Sequence, residues 1–326
     1  MSTQIVSVDI GGTHARFAIA DLKDDGTIEL EEPTTLHTED HASFQTAWED
    51  FRERKGGTLP DGVSMAIAGP TGGDVIRFTN NPWIIRPALV EEKLGVEHHT
   101  IVNDFEAVAH AVARLPEDCF THLAGPEEPL SPTGRLSVLG PGTGLGVAHL
   151  YREPDGTYRV SATEGGHIDF APLDHIEDAI LARLRKRHTR VSVERVVAGP
   201  AISDIYETLA AMEKRATTES DDIEIWTKGM SGEDSLCAAA VDRFCMSLGS
   251  VAGDIALAQG GFGGVVIAGG LGFRLRDTLI ASGFAERFAA KGRFQSLMAK
   301  IPVKLMVHPQ PGLYGAAAAY ASQHLK

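Results

Sequence analysis

Ile5-Val6-Ser7-Val8-Asp9-Ile10-Gly11-Gly12-Thr13-His14-Ala15-Arg16-Phe17-Ala18-Ile19 is an apolar run, a glycine-rich turn and a second apolar run. The chain uses this arrangement again at Leu136-Ser137-Val138-Leu139-Gly140-Pro141-Gly142-Thr143-Gly144-Leu145-Gly146-Val147-Ala148-His149-Leu150. A dinucleotide fingerprint needs its last glycine to open a helix, so that pyrophosphate rests on the helix N-terminus. Here Arg16 to Ile19 and Val147 to Leu150 are short runs rich in β-branched and apolar residues, and they predict two β-hairpins instead. Glycines without a Cβ let successive backbone N–H groups converge on an anion, and Thr13 and Thr143 each add a hydroxyl donor. Two such turns, one in each half of the chain, suit a polyphosphate gripped by both. The plain alternative is a pair of hairpin turns with no ligand.

A length of 326 residues points to two domains of ordinary size, and a hydrophobic content of 43% supplies real cores. The net charge of -14 argues against a surface for polyanions, so no nucleic-acid partner is expected. Three cysteines without a close Cys-x-x-Cys pair indicate neither a zinc knuckle nor a disulfide framework. The first strand begins without a basic and apolar leader, and no run of about 18 apolar residues is present. These features predict a reducing, cytoplasmic setting and no membrane.

Along the first half, the glycine hairpin leads to a strand near Ile28 to Leu36, a helix over Ser43 to Arg54 and a compact strand over Val63 to Ala68. The helix is predicted from Phe44, Ala47, Trp48 and Phe51 on one face. Asn80, Asn81 and Trp83 follow the short strand Val75 to Phe78. Two amides and an aromatic face suit a sugar pocket, and an Asx turn before Pro82 suits them equally. Thr100 to Val102 reads as a buried strand with Asn103-Asp104 at its junction with a helix over Phe105 to Arg114, where α/β proteins place ligands.

In the second half, Glu177 to Arg187 reads as a helix whose basic end compensates its macrodipole. Lys214 to Asp222 is a polar loop, and Ser235 to Leu257 a long apolar helix in which Gly249 and Gly253 mark close helix packing. A strand over residues 265–268 lies between glycine pairs, and Pro302 to Val307 is a last strand before the alanine-rich helix Leu313 to Ser322.

Asp9-Ile10-Gly11-Gly12-Thr13, Gly140 to Gly146, Asn103-Asp104 and Glu164-Gly165-Gly166-His167 together resemble the bacterial glucokinases, within the sugar kinase, Hsp70 and actin superfamily, over nearly the whole chain. The resemblance implies an α/β protein with a two-domain, actin-like ATPase fold of ribonuclease-H type, its mixed sheets flanked by helices around a cleft between domains. The small domain is placed at 1–110 plus 303–326 and the large one at 111–302. It implies transfer of the γ-phosphoryl of ATP, with Mg²⁺, to the 6-hydroxyl of D-glucose, and a homodimer. The enzyme alternative is another hexose or an N-acetylhexosamine, and a sugar-sensing protein of the same fold is the non-enzymatic one.

A sugar hydroxyl becomes a good nucleophile only when its proton has an acceptor, and Asp104 is the carboxylate expected to take it. An ordinary N-cap is the competing role for the Asn103-Asp104 pair. Asp9 is expected to anchor the hydration shell of a Mg²⁺ bridging the nucleotide phosphates, since Mg²⁺ usually retains waters and uses few carboxylates. By resemblance Asn103, Glu164, His167, Glu194 and Asn80 join Asp104 around the sugar. Gly11, Gly12, Thr13, Gly142, Thr143 and Gly144 hold phosphates, and Gly269 and Gly270 border the adenosine. His167 and Asp169 lack a third metal ligand nearby, and no structural zinc is expected. A shell without Lys or Arg favours a neutral polyol over a sugar phosphate.

Overall fold

The computed structural model describes residues 2–78, 81–217 and 221–325. They form two compact units, one of residues 1–115 with 308–326 and the other of residues 116–307.

The first unit holds β1 (Ser2–Ile10), β2 (His14–Lys23), β3 (Ile28–Leu30), β4 (Thr34–His37) and β5 (Gly62–Ile67). β6 (Ile76–Arg77) and β7 (Ile84–Ile85) form a small hairpin, and β8 (His98–Asn103) completes the main sheet. The order is β3-β2-β1-β5-β8, with β4 also on β2. β1 and β2 are the antiparallel arms of the first glycine turn, while β1, β5 and β8 run parallel. The expected single strand over Ile28 to Leu36 is two strands, interrupted at Glu31-Glu32-Pro33, where the proline has no N–H for a ladder. The helix Phe44–Arg54 buries Phe44, Ala47, Trp48 and Phe51, and a reciprocal Ser43–Thr46 capping box starts it.

The second unit holds β9 (Phe120–Ala124), β10 (Gly134–Pro141), β11 (Leu145–Arg152), β12 (Tyr158–Thr163), β13 (Val265–Ile267) and β14 (Val303–Met306), in the order β12-β11-β10-β13-β14-β9. β10, β13 and β14 run parallel, so the pattern of the first sheet is repeated. Although the sequence reading assigned residues 303–326 to the first domain, β14 is hydrogen-bonded to β13 and β9, and the chain passes to the first unit only after Val307. Val191 to Glu194 forms a single bridge, Asp169 to Ser192, and then the short helix Glu194–Val197. A helix at Asp222–Ser231, capped by the Asp221 carboxylate and closed by Gly232 at φ 73°, adds Ile225 and Trp226 to the core.

The helix Ser235–Gln259 is long and apolar enough to cross a membrane by length and composition, and 78% of its apolar window is buried inside the protein. Gly249 and Gly253 explain part of that burial. A Cβ at Gly249 would run into the Phe284 carbonyl, and one at Gly253 would lie 2.5 Å from the Phe288 carbonyl, so the helix Phe284–Ala289 rests directly on this backbone. Asp174 and Glu177 on one side and Arg243 and Arg287 on the other form a buried ion cluster joining three helices.

The helix Pro311–His324 closes the first unit. Its small residues admit it to within backbone contact of the helix Asp104–Arg114, because a Cβ at Gly315 would overlap the Ala107 carbonyl. Buried Ser7 and Ser64 donate to the carbonyls of Leu313 and Ala316, each at 2.6 Å, and peg the helix to β1 and β5.

Candidate active site

Parallel register gathers the first unit's candidate residues. Ile10 lies beside Ile67 and Ile67 beside Asn103, so the Asp9-Gly11 end of β1 and the Asn103-Asp104 end of β8 emerge at one sheet edge. This is the carboxyl edge of the parallel strands, where open α/β sheets bind ligands.

The first glycine turn is held from one side. Thr38 Oγ1 donates to the Gly12 carbonyl at 2.8 Å, and Asn81 Nδ2 donates to the Gly11 carbonyl at 3.4 Å. In a trans peptide the carbonyl and the following N–H point in opposite directions, and no cis bond is present among the described residues. The Gly12 and Thr13 N–H groups therefore point away from Asn81 and Thr38, which is the orientation an anion-binding turn requires.

Asp9 lies across the ladder from Arg16, with its carboxylate 3.6 Å from the guanidinium. On its other flank Gly312, in the first turn of the helix Pro311–His324, approaches so closely that a Cβ there would lie 2.8 Å from Asp9 Cγ. Burial raises the Asp9 pKa above the ordinary carboxylate value, Arg16 opposes the rise, and the negative charge of Asp104 adds to it. The Asp9 and Asp104 carboxylates lie at one sheet edge, Asp9 beside outward N–H groups, and are a donor set suited to a hard cation. Among the described residues no group of three or more His, Cys, Asp or Glu side chains is placed to hold a metal by itself.

Of the Asn103-Asp104 pair, Asn103 supplies the helix cap. The Asn103 side chain caps the helix Asp104–Arg114, accepting from the Phe105 and Glu106 amides at 2.9 and 3.3 Å, and its Nδ2 donates to the Gly69 carbonyl. The cap is thus met by the amide. Asp104, half-buried in the first turn, accepts from the Phe105 amide at 2.9 Å.

Asn80 lies outside the described residues. Its neighbour Asn81 forms the Asx turn, accepting from the Trp83 amide at 2.9 Å. Trp83 is 1% exposed, donates its indole N–H to the His41 carbonyl and packs on Phe44. It belongs to the core, and the expected role as a sugar-stacking face is withdrawn, because its ring is covered by the helix Phe44–Arg54.

In the second unit, Gly142 N–H donates to the Gly144 carbonyl at 2.8 Å and closes the turn. Gly199 N–H donates to the Gly142 carbonyl at 2.7 Å, which directs the Thr143 N–H outward. Neither Gly142 nor Gly144 needs a positive φ. Gly142 faces open space, whereas a Cβ at Gly144 would lie 2.6 Å from Glu194 Oε2. That oxygen accepts the Leu145 N–H at 2.9 Å, so Glu194 is seated on the exit of the phosphate turn.

Glu164 and His167 lie at the two ends of a one-turn 3₁₀ segment, both exposed, with Glu164 Oε2 and His167 Nε2 3.8 Å apart. Gly165 and Gly166 let this segment lie on β11, since side chains there would strike Val147 and the Leu145 carbonyl. Beyond it, Val193 N–H donates to Ile168 O and Phe170 N–H to Val191 O, which brings residues 191–194 alongside. Asp169, the other half of the rejected metal pair, is tied to Arg190 at 2.5 Å.

At the C-terminal end of β13, next to Gly140-Pro141, Gly269 takes φ 88° and Gly270 borders open space. A cavity of about 310 Å³ is lined by Thr143, Arg187, His188, Glu194 and Arg195, among others. The basic end expected at Glu177 to Arg187 is not simply solvated: Arg183 and Arg187 pair with Asp204 on the next helix.

Two α/β units with repeated mixed sheets, each carrying a glycine hairpin at its carboxyl edge, define the hexokinase and actin class of phosphoryl-handling fold. A family profile described as Glucokinase matches residues 6–324, and the chain belongs to that family. A glucokinase of Zymomonas mobilis subsp. mobilis is 54% identical, with 98% of each chain covered. One from Caulobacter vibrioides is 41% identical over 95% of this chain and 93% of its own. The crystal structure of a glucokinase from an Antarctic psychrotroph superposes with a TM-score of 0.87 at 33% identity, covering 97% of this chain and 98% of that one.

Proposed function

We propose that this chain, an ATP-dependent kinase by its family, transfers the γ-phosphoryl group of ATP to the 6-hydroxyl of D-glucose, with Asp104 as general base. The observation that carries this reading is the division of labour at the β8 edge. Asn103 caps the helix, and a carboxylate remains at the edge that also carries the first phosphate turn. Asp104 accepts the hydroxyl proton as the phosphoryl group leaves ADP, giving glucose 6-phosphate.

Gly11, Gly12 and Thr13 in the first unit, and Gly142, Thr143 and Gly144 in the second, present N–H groups to the phosphates. Gly269, Gly270 and the cavity beside Thr143 take the rest of the nucleotide. Asp9 would hold Mg²⁺ through water, and the metal would neutralise charge on the phosphates. Asn103, Glu164, His167 and Glu194 orient the sugar, with Asn80 beside them. The reaction belongs in the cytoplasm, where ATP is available, and the resemblance implies a homodimer.

The test is a panel of hexoses and N-acetylhexosamines with Mg²⁺ and ATP, following ADP and sugar phosphate together. Equimolar ADP and glucose 6-phosphate, lost in Asp104→Asn with glucose binding retained, is the expected result. ADP release without sugar phosphate, or a preferred sugar other than glucose, overturns the assignment.

A further inference from the structure

We infer that Glu194 is a positioning residue that couples sugar binding to the nucleotide turn of the second unit, an inference that rests on its proposed role as a sugar ligand. One carboxylate has two oxygens, and the structure commits one of them. Glu194 Oε2 accepts the Leu145 N–H at 2.9 Å, and Gly144 is pressed so close that any side chain there would strike the same oxygen. The carboxylate thereby fixes the last peptide of the turn that presents Thr143.

The backbone on either side of Glu194 makes the link rigid. Upstream, residues 191–193 are laddered to Ile168 and Phe170, immediately after Glu164 and His167. Downstream, the helix Glu194–Val197 ends at Ala198, and Gly199 N–H holds the Gly142 carbonyl at 2.7 Å. The Gly199 carbonyl is held in turn by Trp226 Nε1 at 3.1 Å, and Trp226 is buried against Phe244. Residues 191–199 are therefore one short strut with the proposed sugar ligands at one end and both ends of the phosphate turn, Gly142 and Leu145, at the other. A sugar hydroxyl donating to Oε1 draws on the same carboxylate that orders Leu145, so an occupied sugar site holds the turn in its phosphate-binding geometry. Linkage requires the reverse as well: an occupied turn favours the sugar.

The test is equilibrium titration of the intact protein with glucose and with AMP-PNP plus Mg²⁺, each alone and in the presence of the other. Glucose is expected to tighten AMP-PNP binding about 5-fold or more in the unmodified protein, a typical coupling. Glu194→Gln keeps the size of the side chain and an acceptor, and is expected to weaken glucose binding and bring the coupling to near unity. Gly144→Ala, which displaces Glu194 Oε2 without replacing any proposed sugar ligand, is expected to weaken glucose binding with no nucleotide present. Glu286→Gln, exposed on the helix Phe284–Ala289 and outside both proposed sites, is expected to leave glucose affinity unchanged.

Unchanged glucose affinity in Glu194→Gln removes Glu194 from the sugar site and takes the underlying reading with it. Weakened glucose affinity with the coupling intact leaves Glu194 as a sugar ligand and overturns the strut. Equal effects of Glu286→Gln and Gly144→Ala on glucose overturn it too, as does absence of coupling in the unmodified protein.

Discussion

Replacing Gly312 by Ala probes how tightly Asp9 is held. The added Cβ would lie 2.8 Å from both Cγ and Oδ2 of Asp9 and 3.1 Å from Oδ1. Ordinary contact is about 3.4 Å or more, so the carboxylate must retreat by roughly 0.6 Å. The same oxygen, Oδ2, is 3.6 Å from the Arg16 guanidinium, so the retreat also alters that ion pair. Overpacking of this kind destabilises by about 1–3 kcal/mol, and removing a helical glycine returns about 0.5–1 kcal/mol. A net loss of roughly 0.5–2 kcal/mol lowers Tm by a few degrees. Function should suffer more, since a misplacement of about 1 Å in a reacting site lowers rates about 10²-fold, and 0.6 Å points to a loss of order 10-fold in kcat/KM for Mg-ATP.

Thermal melts and steady-state kinetics at varied Mg²⁺ give both numbers. The decisive comparison uses Asp9→Gly, where no carboxylate is left to collide: there Gly312→Ala should add no further loss of stability. If the two substitutions are simply additive, the contact between Asp9 and the helix start does not govern the site.

Asp104→Asn should lower kcat by about 10²- to 10⁴-fold while glucose binding stays measurable by calorimetry, and a variant keeping most of its turnover removes Asp104 as the base. Arg16→Gln takes away the group that lowers the Asp9 pKa, so the acid limb of kcat/KM for Mg-ATP should move to higher pH, and an unmoved limb refutes that assignment. His110 is buried in the helix Asp104–Arg114, and burial first, then Arg114, lowers its pKa from 6.5 to about 4. The unfolded chain takes up that proton before the folded one does. Stability is therefore lost as pH falls from about 6.5 to about 4, by up to about 3 kcal/mol, and His110→Leu should flatten denaturant midpoints over that window.

The two hairpins were legible because β-branched and apolar runs flank both glycine turns, and the Asn103-Asp104 junction because a buried strand meets a helical pattern there. That Asn103 rather than Asp104 supplies the cap was not legible, since both residue types serve at helix N-termini. Trp83 misled for a related reason: an indole serves a core as well as a sugar face, and only the covering helix Phe44–Arg54 decides. The helix Asp222–Ser231 did leave a signal in the Asp221 cap, the buried Ile225 and Trp226, and Gly232, masked by the polar run before it. The Glu194–Leu145 and Asp9–Gly312 contacts join residues 49 and 303 positions apart, and no local pattern records such a pairing.

The pegs from Ser7 to Leu313 and from Ser64 to Ala316 span 306 and 252 residues of chain. The second unit, by contrast, is one uninterrupted stretch. On a ribosome, residues 1–115 emerge early yet stay without their closing helix until about 200 more residues have been added, at 5–20 residues per second. The later stretch can therefore mature ahead of the earlier one. Through that interval Asp9 lacks the helix start that flanks it and Ala107 the backbone that covers it, so the carboxyl edge of the first sheet stays unfinished in the nascent chain.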